Sequence, residues 1–180
     1  MDVRECILGR RSIRKYSDKA VDDEIIAKIV EEASYSPSWK HTQITRYIAV
    51  KDPEVKNRIA KEGTTIWPGN GGIIEQAPVL VAVTVIKGRS GYERDGSFST
   101  EREDRWQFFD AGIASQTFCL AAHEYGLGTV ILGLFDIDTI KSILDIPEER
   151  ELVALIPLGY PAEEPAAPRR KEVSELLNIV

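Results

Sequence analysis

Three guanidiniums and one hydroxyl lie within five residues in Arg10-Arg11-Ser12-Ile13-Arg14, between two stretches of helical periodicity. Arg presents a planar fork of donors that matches phosphate oxygens in pairs, whereas ordinary surface charge more often uses flexible Lys. The segment reads as an anion site, against the competing reading of a solvated basic face at a helix end. Two features elsewhere favour the anion site. A polar turn, Pro37-Ser38-Trp39-Lys40-His41-Thr42-Gln43, follows the next helical stretch, and a second basic cluster stands at Arg169-Arg170-Lys171.

The background makes these clusters stand out. Lys and Arg total 23 against 29 Asp and Glu, a net charge of −6, which argues against general affinity for nucleic acid or an anionic membrane surface. Positive charge concentrated in an acidic chain points instead to a small anionic ligand. At 180 residues, 43% hydrophobic and 29% charged, the chain has the size and composition of one globular domain. Cys6 and Cys119 each sit in an apolar helical pattern and read as buried free thiols rather than a disulfide. The first residues lack the apolar core of a secretion signal and no run reaches membrane-spanning length, so a cytoplasmic location is expected. His41 and His123 have no Cys, His or carboxylate at ligand spacing, and no metal site is assigned.

The elements that must position the clusters follow from periodicity. Val3, Cys6 and Ile7 give a short helix ending near Gly9, and Ile25, Ile26, Ile29, Val30 and Ala33 give a second one behind Asp22, stopping before Pro37. Tyr47–Val50 reads as a strand, and Asp52-Pro53 starts a helix that Gly63 ends. Trp67–Gly72 reads as a loop, without the Gly-Lys-Ser/Thr ending of a nucleotide-triphosphate cradle. The continuous apolar run from Val79 to Ile86 predicts a central strand covered on both faces. Residues 88–105, charged and poor in aliphatics, predict an exposed insertion or lid. A long helix is expected from about Asp104 to Tyr125, with more apolar surface than one stripe needs. Strands at Thr129–Leu132 and Leu152–Leu158 flank a helix capped by Asp136 or Asp138. Residues 161–180 start proline-rich, too much so to fold on themselves, and read as an arm seeking another surface. The class expected is α+β, a central mixed β-sheet flanked by helices with a long central helix.

Taken in order, these segments resemble the FMN-dependent nitroreductase family. Arg10–Arg14 is similar to its N-terminal flavin motif, Pro37-Ser38 with Gln43 to its Pro-Ser…Gln loop, and Asp110-Ala111-Gly112 to the opening of its central helix. Gly126-Leu127-Gly128-Thr129, Gly133-Leu134-Phe135-Asp136, and Leu158-Gly159-Tyr160-Pro161 with Pro168-Arg169 complete the match across nearly the whole chain.

The resemblance implies a nitroreductase-like fold, a homodimer with FMN at the subunit interface, and NADH or NADPH as donor to a small-molecule acceptor. It implies that Arg10, Ser12 and Arg169 hold the phosphate, with Arg11 and Arg170 as helpers. Arg14 is implied to lie by the pyrimidine edge of the flavin, where a cation stabilises the charge that reduction leaves at N1 and C2=O. Pro37, Ser38 and Gln43 are implied to hold the ribityl chain or ring edge, Asn70 the ring, and Leu132, Gly133 and Leu134 the edge carrying N5, through a backbone N–H. Each position has a plainer reading. Ser38 fits a turn hydroxyl, Asn70 the Asn-Gly of any turn, Gly133 a strand end and Arg169 a surface charge.

His41 stands where the family loop commonly reads Asn, and with Thr42 it resembles the iodotyrosine deiodinase branch. It is a candidate for orienting or protonating the acceptor, or a histidine bonded to the loop backbone. Trp39, Lys40 and Trp67 are candidates to line the substrate face, with packing in a dimer core open for Trp39. Two rivals accompany the reductase expectation: a protein that stores or delivers flavin without turnover, and a flavoenzyme of reductive dehalogenation.

Overall fold

The computed structural model describes residues 2–180. α1 (Val3–Gly9) opens on a reciprocal cap, Asp2 accepting the Glu5 N–H while Glu5 accepts the Asp2 N–H. α2 (Asp23–Ser34) turns Ile26, Ile29 and Ala33 inward, as its stripe predicts. β1 (Thr45–Val50) leads into α3 (Pro53–Glu62), where Asp52 accepts from the N–H groups of Glu54 and Val55 and Pro53 occupies the first turn. α4 (Pro68–Gln76), β2 (Val79–Ile86), α5 (Arg105–Glu124), β3 (Gly128–Thr129), α6 (Ile137–Ile143), β4 (Arg150–Gly159) and α7 (Val173–Leu176) follow. Asp136 caps α6 by accepting the Thr139 N–H.

The named strands form one sheet in the order β1-β2-β4-β3, each neighbouring pair antiparallel. β2 is central, and its unbroken apolar run has a simple cause. Val79, Val81 and Val83 pack with Ile29 of α2 and Phe118 of α5, while Leu80 and Ala82 point the other way onto Ile59, Ile74 and Ile140 of α3, α4 and α6. With helices on both faces, alternate residues meet different cores and none need be polar. The mixed character expected of the sheet resides in one parallel bridge, Ser12 to Thr129. The strand expected over Thr129–Leu132 is shorter, and Leu132 regains only an isolated bridge to Leu155.

Residues 67–72 correct the sequence reading. The expected loop is the start of α4, with Pro68 in its first turn. Gly71 serves close packing instead of a turn. A Cβ on Gly71 would fall 2.7 Å from the Ala60 carbonyl and 2.8 Å from Thr64 Oγ1, so only Gly lets α4 approach α3 this closely. Gly71→Ala is expected to destabilise the chain by about 1–3 kcal/mol through overpacking, read as a lowered Tm.

The proline-rich arm is also partly corrected, because its root is held by its own chain. Tyr16 bridges Pro161, the Ser17 N–H donates to Tyr160 O, and the Ala162 N–H donates to Lys15 O. Beyond residue 165 the arm is exposed, including Val173, Leu176, Leu177, Ile179 and Val180. The central helix is buried on several sides through Ala111, Ala114, Phe118, Cys119 and Ala122, yet Phe108 and Phe109 on its first turns are 42% and 59% exposed. Cys6 and Cys119 are free, buried thiols. Among the described residues, no helix is long and apolar enough to cross a membrane, and no group of three or more His, Cys, Asp or Glu could hold a metal ion.

Candidate functional site

The Arg motif lies along the edge strand of the sheet and is pinned there by backbone. The Ile13 N–H donates to Thr129 O at 3.0 Å, beside the Ser12–Thr129 bridge. Ile13 packs so closely on Gly128 that a Cβ there would lie 2.7 Å away. That contact accounts for a glycine in the Gly126-Leu127-Gly128-Thr129 segment. Tyr16 closes the other end, its hydroxyl 2.6 Å from Ile13 O and 3.2 Å from Pro157 O. Burial pushes the phenol well up, so it stays a neutral donor.

This framing leaves Arg10 and Arg11 beside a cavity of about 430 Å³ lined also by His123, Gly128, Thr129, Glu163 and Glu164 among others. Arg11 has a second duty. Its Nη1 donates to Leu8 O (2.7 Å) and Arg10 O (2.9 Å) and so closes the C-terminal end of α1, where carbonyls lack partners. Arg14 is exposed, with Nη1 3.3 Å from Ser12 O.

His123 was not singled out from sequence, but it faces the same cavity and packs on Gly9. Burial holds its pKa below the usual 6.5, and Arg10 and Arg11 push it further down against an opposing pull from Glu124. A histidine whose folded pKa is depressed makes the unfolded chain the better proton acceptor below pH 6.5. Stability is therefore expected to decline as pH falls through and below that value, and His123→Gln should flatten this limb of the stability–pH curve in denaturant titrations.

The polar loop is the second part of the site. Lys40, His41 and Gln43 all have positive φ, at 44°, 58° and 47°. L side chains rarely adopt such backbone, and three cases in four residues persist only where surrounding bonds dictate them. Those bonds are visible. Both carboxylate oxygens of buried Asp110 accept from the Trp39 N–H, at 3.1 and 3.0 Å, and Ser38 Oγ accepts from the Gln43 N–H at 2.9 Å. Trp39 lies against Trp106, centroids 4.7 Å apart, which places Trp39 in packing. Lys40 Nζ meets Glu93 at 2.7 Å, tying the loop to the exposed 88–105 segment. Trp39 Nε1 and Thr42 Oγ1 are buried in this loop without a hydrogen-bond partner.

Ser38, Gln43 and Asp110 also line a cavity of about 760 Å³, between α2, β1 and α5, whose apolar wall includes Ile26, Val30 and Tyr47. Pro37 lines it too, while His41 is exposed and outside its lining. On the far side of the sheet, the Asn70 side chain donates to Leu134 O at 3.0 Å. That bond joins the start of α4 to the Leu132-Gly133-Leu134 segment, where Leu132 is buried and Gly133 and Leu134 are exposed. Arg169 and Arg170 are exposed on the arm and line neither cavity. The chain by itself thus brings Arg10 and Arg11 to one cavity whose lining does not include Ser12 or Arg14, separately unites Ser38 with Gln43 and Asn70 with Leu134, and leaves the second basic cluster apart.

The sequence gives Asp110 as part of a family segment but not as the anchor of the Trp39 backbone. A lone acid among the buried residues of an apolar helix is the signal that points to it. Glu163 carries no such signal.

The α+β sheet carries an Arg cluster at its edge and a strained Pro-Ser loop near the start of its central helix, and the chain belongs to the nitroreductase family, which it matches over residues 7–68 and 62–160. It is 36% identical over 169 residues to a protein of Methanothermobacter thermautotrophicus described as an NADH dehydrogenase/NAD(P)H nitroreductase, covering 92% of this chain and 80% of that one. An iodotyrosine deiodinase of Haliscomenobacter hydrossis is 29% identical over 94% of this chain and 85% of its own. Among solved structures, an FMN-dependent nitroreductase of Clostridium difficile superposes with a TM-score of 0.73 at 27% identity, covering 93% and 92% of the two chains.

Proposed function

We propose that this chain is an FMN-dependent NAD(P)H oxidoreductase that reduces nitroaromatic, quinone or similar electron-poor acceptors. The observation that carries the reading is the Arg10–Ser12 segment fixed by backbone against Gly128-Thr129 beside a cavity that Arg10 and Arg11 line. The donor set fits the cofactor: guanidiniums for a phosphate, a serine-bearing loop with buried unpartnered Trp39 Nε1 and Thr42 Oγ1, and an amide at Asn70. FMN, when bound, supplies a ring that takes hydride from a nicotinamide and passes reducing equivalents to the acceptor.

The protein's share is position and charge. Arg10, Ser12 and Arg169 bind the phosphate, with Arg11 and Arg170 assisting, and Arg14 presents a fixed cation to the pyrimidine edge. Pro37, Ser38 and Gln43 hold the ribityl side, while Asn70 and Leu132–Leu134 hold the opposite edge of the ring. One open face serves the nicotinamide and then the acceptor, so turnover is ping-pong. The tested consequence is selectivity for the phosphate: FMN should bind much more tightly than riboflavin in a fluorescence titration. Equal affinity would remove the roles given to Arg10, Ser12 and Arg169.

The active form in this reading is a cytoplasmic homodimer. Val3, Ile7 and Leu8 of α1 are 77%, 54% and 60% exposed, and Phe109 and the apolar tail residues add to the uncovered surface. A second subunit also gives Arg169 a route to a phosphate that its own fold leaves distant.

A second reading, reductive dehalogenation of a halogenated aromatic, is favoured by the deiodinase similarity and by the His41-Thr42 pair. His41 is the discriminating residue. If it orients or protonates the acceptor, His41→Asn should change acceptor preference and the pH–rate profile while leaving FMN affinity within about twofold. An unchanged profile assigns His41 to loop structure.

A further inference from the structure

The root of the arm touches the Arg motif through one side chain. Glu163 Oε1 accepts from the Arg14 N–H at 2.7 Å and the Lys15 N–H at 3.2 Å, across 149 and 148 residues of sequence. The same two stretches are already joined by the Tyr16–Pro161 bridge, with the Ser17 N–H on Tyr160 O and the Ala162 N–H on Lys15 O. In the register this bridge sets, Glu163 stands opposite Arg14, and its carboxylate takes the place a main-chain carbonyl would fill in a continued ladder. Two successive N–H groups converging on one anionic oxygen make a strong local anchor. Pro161 and Pro165 on either side restrict the chain that carries it.

We propose that Glu163 is the positioning residue of this site: its carboxylate fixes the backbone from which the Arg14 side chain departs and, by the same bonds, the place and direction in which the arm bearing Arg169 leaves the body. The proposal rests on the FMN reading for its consequence but not for its geometry. A single side chain then sets both the cation at the ring and the lead-out of the cation for the phosphate. Glu163 shares the cavity with Arg10 and Arg11, so it also faces the anion site it helps to build. It acts through Arg14 and the arm, without touching the reacting atoms.

The test uses the full chain with Glu163→Ala, Glu163→Gln, Arg14→Met and the Ala/Met double variant. Amide hydrogen exchange over residues 13–17 should accelerate at least tenfold in Glu163→Ala, with or without FMN. Glu163→Gln keeps an acceptor oxygen and should hold exchange and FMN affinity within roughly threefold of the parent, whereas Glu163→Ala should weaken FMN binding about tenfold, the scale of a lost charge-assisted bond. The flavin midpoint potential should shift in Glu163→Ala but show no further shift when Arg14 is already Met, because the effect travels through Arg14. Unchanged exchange, a Gln variant as impaired as Ala, or additive potential shifts in the double variant would overturn the proposal. Failure of the parent chain to bind FMN would sink the functional reading instead, while the exchange measurement would still decide whether Glu163 holds the segment.

Discussion

Arg10→Ala should cost about 1.5–3 kcal/mol of FMN affinity, a weakening of roughly ten- to 150-fold, and leave riboflavin binding nearly unchanged. The size follows from loss of a charge-assisted, potentially bidentate contact at a site that backbone bonds have already ordered, so little reorganisation is available to soften it. Arg10 is the informative choice among the clustered residues. Arg11 also bonds the Leu8 carbonyl at the end of α1, so its removal would mix a capping effect into the result. The measurement is a pair of fluorescence titrations, FMN and riboflavin, on parent and variant. A loss shared equally by both ligands would mean that Arg10 does not meet the phosphate.

Deleting residues 165–180 should have the other large effect. The cut keeps Glu163 and the pairing of 160–162 with 15–17, so the body should fold, but it removes Arg169, Arg170 and the exposed apolar residues from Val173 to Val180. Sedimentation velocity should show a dimer in the parent and a shift toward monomer in the truncated chain. FMN affinity should fall by at least about tenfold through loss of the Arg169 contact. An intact, flavin-loaded dimer after truncation would place both functions elsewhere.

Where the chain's physics is local, sequence and structure agree. The stripe of α2, the Asp52-Pro53 start of α3, the Asp136 cap and the apolar run of β2 each depend on residues close in sequence, and periodicity reads them directly. Residues 67–72 show where that logic ends. Trp-Pro-Gly-Asn-Gly-Gly has the composition of a turn, yet Gly71 is needed for close approach of α4 to Ala60 on α3 and to Thr64 just beyond it, a tertiary demand that composition does not reveal. The site divides in the same way. The Arg motif is legible because guanidiniums so concentrated are unusual, and the Pro-Ser loop because of its order relative to the flanking elements. The anchors are another matter. Asp110 binds the Trp39 backbone across 71 residues, and Glu163 binds Arg14 across 149. Both act on backbone N–H groups, which every residue but proline carries, so no partner residue type marks the contact.

The most direct test of the account is the absorbance spectrum of the purified chain, reconstituted with FMN, before and after anaerobic addition of NADH or NADPH. The expected result is stoichiometric retention of FMN through gel filtration, bleaching of the visible oxidised-flavin band by a nicotinamide donor, and recovery on adding a nitroaromatic or quinone, with parallel lines in initial-rate plots. Retained FMN that neither donor bleaches would contradict it in favour of a flavin carrier, and failure to retain FMN at all would contradict the site itself.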